Sequence, residues 1–395
     1  MQTAAYLYPW DVVGDPAAAD LVAGLGLDHV VLAAVYHGTR ALTPRHPRHR
    51  VVVAHQSAAY YPVGGGRWRG ARLRPRQADW CDSADPFGEA TVALRAAGVP
   101  VRAWVVCNHV DLPGAVEQNV VNAYGDRYPW ALCPARDDVT EYALGLAADV
   151  AAMTGIDGVE LEACGWYGFD HLSAHDKVGG VPLSGAAQYL LSLCFCDACR
   201  AAYRAGGIEP EALRGHVRAA LDAVFSGSGS GSAPEPTGTA DEPGRIAGLL
   251  GAGLAAAVAD VRQDVADRLR AAVIGRIRAE RPELDVLLHA SPQPHRTVAF
   301  TGLDPARAAA VADGLVVNCW AGPEAVAPSL EGGGRVYASL LAVRGMGGRP
   351  DELPAQVAAA RAAGAQGVRL YHAGLAAAAD LDAVRELTAA VRKGE

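Results

Sequence analysis

Short runs of β-branched and aliphatic residues alternate along the chain with alanine-rich stretches whose apolar positions recur at helical spacing. That is the pattern of repeated βα units rather than of a β-sandwich. Eight runs read as core strands, at residues 3–8, 29–35, 99–107, 158–163, 285–290, 314–319, 335–341 and 367–371. Helical patterns follow most of them, at 16–24, 86–97, 139–153, 246–278, 305–312, 352–363 and 376–392. Ala97-Gly98, Thr154-Gly155 and Ala363-Gly364 put a glycine just past a helical stretch, where a left-handed C′ residue is expected. Eight βα repeats closed on themselves predict an α/β protein of the (β/α)8 TIM-barrel type. A doubly wound open sheet is the alternative, but the first strand runs into Tyr8-Pro9-Trp10-Asp11, with no G-x-G-x-x-G phosphate turn.

Three stretches exceed what a minimal barrel needs. Residues 37–85, after strand two, carry an extra strand pattern at 50–55 and a loop rich in Gly and Arg, long enough to be functional. Residues 165–213, after strand four, hold a His/Trp-rich loop and a cysteine cluster. Residues 226–243 (SGSGSGSAPEPTGTADEP) have no apolar periodicity and are expected to form a disordered surface excursion. Strand patterning resumes beyond it, so residues 1–395 read as a single barrel domain with these additions.

Composition narrows the function classes. Lys plus Arg is 35 against 43 Asp plus Glu, a net charge of −8, and the one short basic piece is residues 45–50. A nucleic acid or an anionic membrane surface is thereby disfavoured as the main partner, and a small-molecule substrate is expected. The first residues show no basic stretch leading into an apolar one. The longest apolar run, 246–259, is shorter than the roughly 18–20 residues that span a bilayer. A cytoplasmic protein is expected, of open oligomeric state. Its 8 cysteines are too dilute for a disulfide scaffold and are expected as thiols or metal ligands.

In a barrel, side chains alternate between the interior and the helix layer, and sites are built at the C-terminal ends of the strands. In Asp157-Gly158-Val159-Glu160-Leu161-Glu162-Ala163-Cys164 the apolar residues share one face, so Glu160 and Glu162 point inward. Two interior carboxylates are costly unless paired or used. Glu162, at the strand end, is the expected catalytic group for acid/base or nucleophilic work. Glu160 lies deeper as its electrostatic neighbour, with Arg102 and Arg369 as inward cations able to neutralise it. A second acid has to come from a loop, and Asp11, Asp111 and Glu324 are available, Asp11 and Glu324 being preferred. Aromatic and hydrogen-bonding residues crowd the other strand ends: Tyr8, Trp10, Tyr36, His37, Asn108, His109, His289, Asn318, Trp320, Tyr371 and His372, with Trp166 and His171 beyond strand four. Flat faces beside donors and acceptors suit a sugar ring, so these are expected to bind substrate.

The Asp157-Gly158-x-x-x-Glu162 pattern on a fourth strand resembles that of TIM-barrel glycosidases, the α-amylase, α-galactosidase and chitinase-like groups among them. Leu132-Cys133-Pro134 and Gly168-Phe169-Asp170-His171 add to the resemblance, which is sequence-specific over residues 132–175. It implies a glycoside hydrolase acting on a carbohydrate, with Glu162 where amylases and α-galactosidases place a carboxylate nucleophile. Cys164 stands where chitinases have their terminal acid, and strand seven, Val336-Tyr337-Ala338-Ser339-Leu340, lacks the nucleophile of β-glycosidases. A catalytically silent sugar-binding barrel therefore stays open.

The histidines support another alternative. His37, His109, His289 and His372 with Glu162, and His171 and His175 at i, i+4, are ligand types for a divalent metal in a metal-dependent hydrolase or isomerase. Against it, strand one lacks a His-x-His pair, and no cofactor is expected for catalysis. Separately, Cys194-Phe195-Cys196-Asp197-Ala198-Cys199 has a spacing that can wrap Zn²⁺ and is similar to the cysteine cluster of some zinc-containing β-galactosidases. Cys164 is the expected fourth ligand of a structural zinc, with Cys133 as the alternative.

Overall fold

The eight apolar runs form eight parallel strands: β1 (Gln2–Leu7), β2 (His29–Tyr36), β3 (Val101–Val106), β4 (Gly158–Glu162), β5 (Asp285–Ser291), β6 (Gly314–Asn318), β7 (Arg335–Leu341) and β8 (Gly367–Tyr371). In this computed structural model the described residues are 1–64, 66–170, 176–227 and 241–394. Each strand pairs with the next, and β1 pairs with both β2 (Tyr6 opposite Val31) and β8 (Ala4 opposite Arg369), so the sheet closes into a barrel.

Local chemistry sets the helix ends. Asp85 caps the first helix after the β2 insertion, Pro86–Ala96, by accepting from the Gly88 N–H, with Pro86 where a missing N–H costs nothing. Gly98 ends the same helix at φ +80°. Val159 and Leu161 are buried against the helix layer, each worth about 1.5–3 kcal/mol of transfer free energy. The apolar run that reads as one helix from 246 is two, Glu242–Leu250 and Ala252–Glu280, because Gly251 at φ +82° turns the chain and the helices meet at 114°. Among the described residues no single helix is long and apolar enough to cross a membrane.

The insertion after β2 contains a hairpin, Thr39–Leu42 paired antiparallel with Val51–Ala54. Residues 165–213 supply two short helices, Gly185–Leu191 and Asp197–Ala205, and the start of a third, Pro210–Phe225. A second hairpin, Asn119–Val121 with Arg127–Leu132, lies between β3 and the helix Asp137–Ala151. His171, His175 and most of the Gly/Ser/Pro-rich segment 226–243 lie outside the described residues.

Candidate active site

The barrel interior is polar on its central axis. Glu160 is wholly buried, accepts from Arg369 Nε at 2.7 Å, and lies 3.4 Å from Arg102 Nε, 3.1 Å from His289 Nε2 and 3.4 Å from the Tyr6 hydroxyl. Burial alone would raise its pKa, but Arg369, the His289 hydrogen bond and Arg102 outweigh burial and hold it well below the usual carboxylate range. Arg102 continues the network to Asp285 at 2.9 Å. A carboxylate so paired and covered lies beneath the cavity as the deeper neighbour of Glu162 and does not line it, so it is not placed to touch a substrate there.

Above it, the strand ends and their loops enclose a cavity of about 480 Å³, within the range of roughly 300–1,000 Å³ usual for small-molecule sites. Tyr8, Tyr36, His37, Trp104, Glu162, His289, Trp320 and Tyr371 line it, with Phe300, Leu42 and Met346 toward its rim. Among the described residues Glu162 is the one carboxylate in the lining. Its Oε2 accepts from Trp104 Nε1 at 2.9 Å and lies 3.5 Å from His289 Nδ1. The chain turns directly after it: Ala163 takes φ +51°, a left-handed conformation that costs a non-glycine residue about 1 kcal/mol or more. The Ala163 N–H donates to the Ala299 carbonyl at 3.0 Å and its carbonyl accepts from Asn108 N–H at 3.1 Å, so the loops that follow β5 and β3 hold the turn.

His289 links the two acids. Burial opposes its protonation, but the hydrogen bonds and charges of Glu160 and Glu162 outweigh burial and raise its pKa. Burial pushes the Tyr8, Tyr36 and Tyr371 phenols up, so they face the cavity as neutral hydroxyls, with the Tyr36 and Tyr371 oxygens 3.4 Å apart. Burial lowers the pKa of His37, whose Nδ1 is 2.9 Å from the Gly38 carbonyl oxygen.

Other expected site residues lie elsewhere. Asp11 is turned under the loop after β8: its Oδ2 accepts from Tyr8 N–H at 2.7 Å, and a Cβ on Gly374 would fall 1.7 Å from that oxygen. Glu324 is exposed on the loop after β6, outside the cavity lining. Neither supplies a second acid facing Glu162. Trp10 and His372 are buried behind Tyr8, their rings 4.4 and 4.2 Å from its ring. Asn108 donates to the Gly165 carbonyl at 2.7 Å, and Trp166 donates to the Arg262 carbonyl at 2.8 Å with the Arg262 guanidinium over its ring. Asn318 accepts from Trp320 N–H at 2.9 Å and is exposed. His109 packs beside the cavity wall between His37 and Tyr167.

Against known proteins, no family profile matches the sequence, and no curated protein matches it. Solved structures do resemble it. The glycoside hydrolase domain of PgaB (BpsB) from Bordetella bronchiseptica is 15% identical with a TM-score of 0.60, over 98% of this chain and 99% of that one. The catalytic domain of β-amylase from Paenibacillus polymyxa is 12% identical at 0.58, over 100% and 98%. The β-galactosidase from Marinomonas ef1 is 12% identical at 0.57, over 99% of this chain and 60% of that one. The chain has the fold of the TIM-barrel glycosidases. At these identities the likeness is one of fold.

Beside the barrel, Cys133, Cys194, Cys196 and Cys199 are all buried, and their sulfurs lie within 4.8 Å of one another, Cys133 Sγ being 3.7 Å from Cys196 Sγ and 3.4 Å from Cys199 Sγ. Four thiols in one cluster are the donor set of a structural zinc. The fourth member is Cys133, not Cys164. Cys133 ends the hairpin strand Arg127–Leu132, whose partner strand binds the cluster segment through Phe195 N–H to Val121 O at 2.7 Å. Cys164 instead sits at the barrel rim, sharing a hydrogen bond with Cys107 and giving its carbonyl to Arg270 Nε at 2.9 Å.

Sequence reasoning passed over Tyr6, Trp104, Phe300, Arg40, Leu42 and Met346, all in the cavity lining. For Trp104 and Tyr6 a signal existed. Trp104 pairs in register with Glu160, so the alternation that turns Glu160 inward also turns Trp104 inward, and Tyr6 shares parity with Tyr8.

Proposed function

We propose that the protein hydrolyses a glycosidic bond in a neutral carbohydrate bound in the cavity at the C-terminal face of the barrel, with Glu162 acting at the reacting centre. The observation that carries this reading is that Glu162 is the sole described carboxylate in a cavity whose lining includes four tyrosines, two tryptophans and two histidines beside Arg40 and aliphatic residues. Aromatic faces receive the C–H faces of a sugar, and neutral phenols exchange hydrogen bonds with its hydroxyls. Trp104 and His289 hold one carboxylate oxygen, which orients the group and leaves the other for the substrate. The fold likeness to glycoside hydrolases supports the same reaction class. We further propose that the four-cysteine cluster carries a structural zinc that ties residues 194–199 to the 119–132 hairpin.

Purified protein screened on a panel of aryl α- and β-glycosides is expected to release aglycone from a subset. Glu162→Gln keeps the shape and the Trp104 contact in place, and is expected to lower kcat by at least about 100-fold. A Glu162→Gln variant as active as wild type removes the reading. Sugar binding without turnover in wild type replaces it with a binding barrel.

A further inference from the structure

We propose that His37, His109 and Glu162 form a binding site for a divalent transition-metal ion of the zinc or cobalt class at the wall of the cavity, which His37 and Glu162 line and His109 adjoins. This rests on the same cavity being the site of the hydrolase reading above. The three residues come from the ends of adjacent strands: His37 just after β2, His109 just after β3 and Glu162 as the last residue of β4. One ligand atom from each lies within 4.8 Å of the other two, and among the described residues the other such group is the cysteine cluster. An ion with bonds of about 2.1 Å holds its neighbouring ligand atoms about 3.0–3.5 Å apart, so a pair at the 4.8 Å limit must close by about 1.3–1.8 Å. His37 is only partly buried and opens the loop to the Thr39–Leu42 hairpin, where such a movement is cheap.

Neighbouring groups hold each of the three ligands. His37 Nδ1 lies 2.9 Å from the Gly38 carbonyl oxygen. A carbonyl oxygen can only accept, so Nδ1–H donates the hydrogen bond, which fixes the tautomer and leaves the lone pair on Nε2, the outer-shell arrangement of metal-binding imidazoles. His109 is stacked on Tyr167 with centroids 4.2 Å apart and planes within 9°, which fixes its ring. Trp104 and His289 occupy the Oε2 side of Glu162, so Oε1 is the oxygen available to an ion. Two imidazoles and one carboxylate leave open coordination positions, which suits a water or a pair of sugar hydroxyls.

The test is a titration of the full-length protein with Co²⁺, read by absorption spectroscopy. Nitrogen and oxygen ligands give weak visible bands, whereas thiolates add an intense near-ultraviolet charge-transfer band, so the two clusters are told apart in one spectrum. Uptake of Co²⁺ with visible bands only is expected, weakened at least about tenfold in His37→Ala and in Glu162→Gln, with Glu324→Gln as the unaffected control. His109→Ala removes a buried ring, so its circular dichroism and melting are read first; the partly buried His37 and the isosteric Glu162→Gln carry the test if it does not fold. Co²⁺ uptake showing only thiolate bands, or uptake unchanged in His37→Ala and Glu162→Gln, overturns the site. Uptake that depends on the three residues without turnover of any glycoside keeps the metal site and removes the glycosidase reading. Hydrolysis that survives chelation, with no such uptake, does the reverse.

Discussion

Asp11 shows what burial does to a single carboxyl at the strand ends. Its Oδ1 has no partner among the described residues, and burial pushes its pKa from 3.8 up to about 7, against the opposing pull of the Tyr8 N–H and Arg45. The folded protein therefore holds a proton between about pH 4 and pH 7 that the unfolded chain has lost. Stability from this group is present below about pH 4, falls as pH rises through that window, and is constant above about pH 7. Asp11→Asn removes the titration. Urea denaturation of wild type and variant near pH 4 and pH 8 is expected to show the variant gaining, relative to wild type, about 4 kcal/mol over the window. A pH-independent difference between the two would place the Asp11 carboxyl in contact with water. The inward pointing of Glu160 and Glu162 was legible in the sequence because strand alternation is strict. The turning of Asp11 beneath Gly374 was not, because it depends on a loop from the far end of the chain.

At the level of elements, the strands were readable nearly to the residue: β7 and β8 coincide with their apolar runs, since a continuous aliphatic run bounded by Gly leaves little choice. The 119–132 hairpin was not readable, because Pro129 interrupts its second strand and Asn122 and Gly125 break the alternation into pieces too short to register. That omission displaced the fourth cysteine, since Cys133 directly follows the second strand of this hairpin. A structural zinc held there predicts about one zinc per chain in purified protein, measurable by atomic emission. Cys199→Ser is expected to lose it and to be cut faster by protease within the Asp197–Ala205 and Pro210–Phe225 helices, while barrel circular dichroism persists. Zinc-free protein with the same protease pattern as the variant would mean that the thiols are simply packed core.

For the whole molecule, closure of the barrel decides where a substrate can enter. β1 is paired on both sides, so there is no sheet edge to open, and the interior below the cavity is filled by the Glu160–Arg369–Arg102 network. Access is left to the mouth, between the hairpin that follows β2 and the loop that follows β7. Leu42 on the first is 60% exposed, Met346 on the second 43% and Trp320 beside them 39%, an apolar rim to the cavity. Side chains at such a rim touch the substrate equally in the ground and transition states, because they are remote from Glu162 and meet only flanking parts of the ligand. Covering an exposed apolar side chain contributes about 1 kcal/mol when half its area is removed from water. Leu42→Ser with Met346→Ser is therefore expected to raise KM by about tenfold or more and to leave kcat unchanged within about twofold, measured on the best substrate of the glycoside panel. The net charge of −8 adds no attraction for a neutral sugar, so the same KM should vary little with ionic strength. A fall in kcat with constant KM would instead put the hairpin and loop against the reacting sugar, closing over Glu162 during turnover.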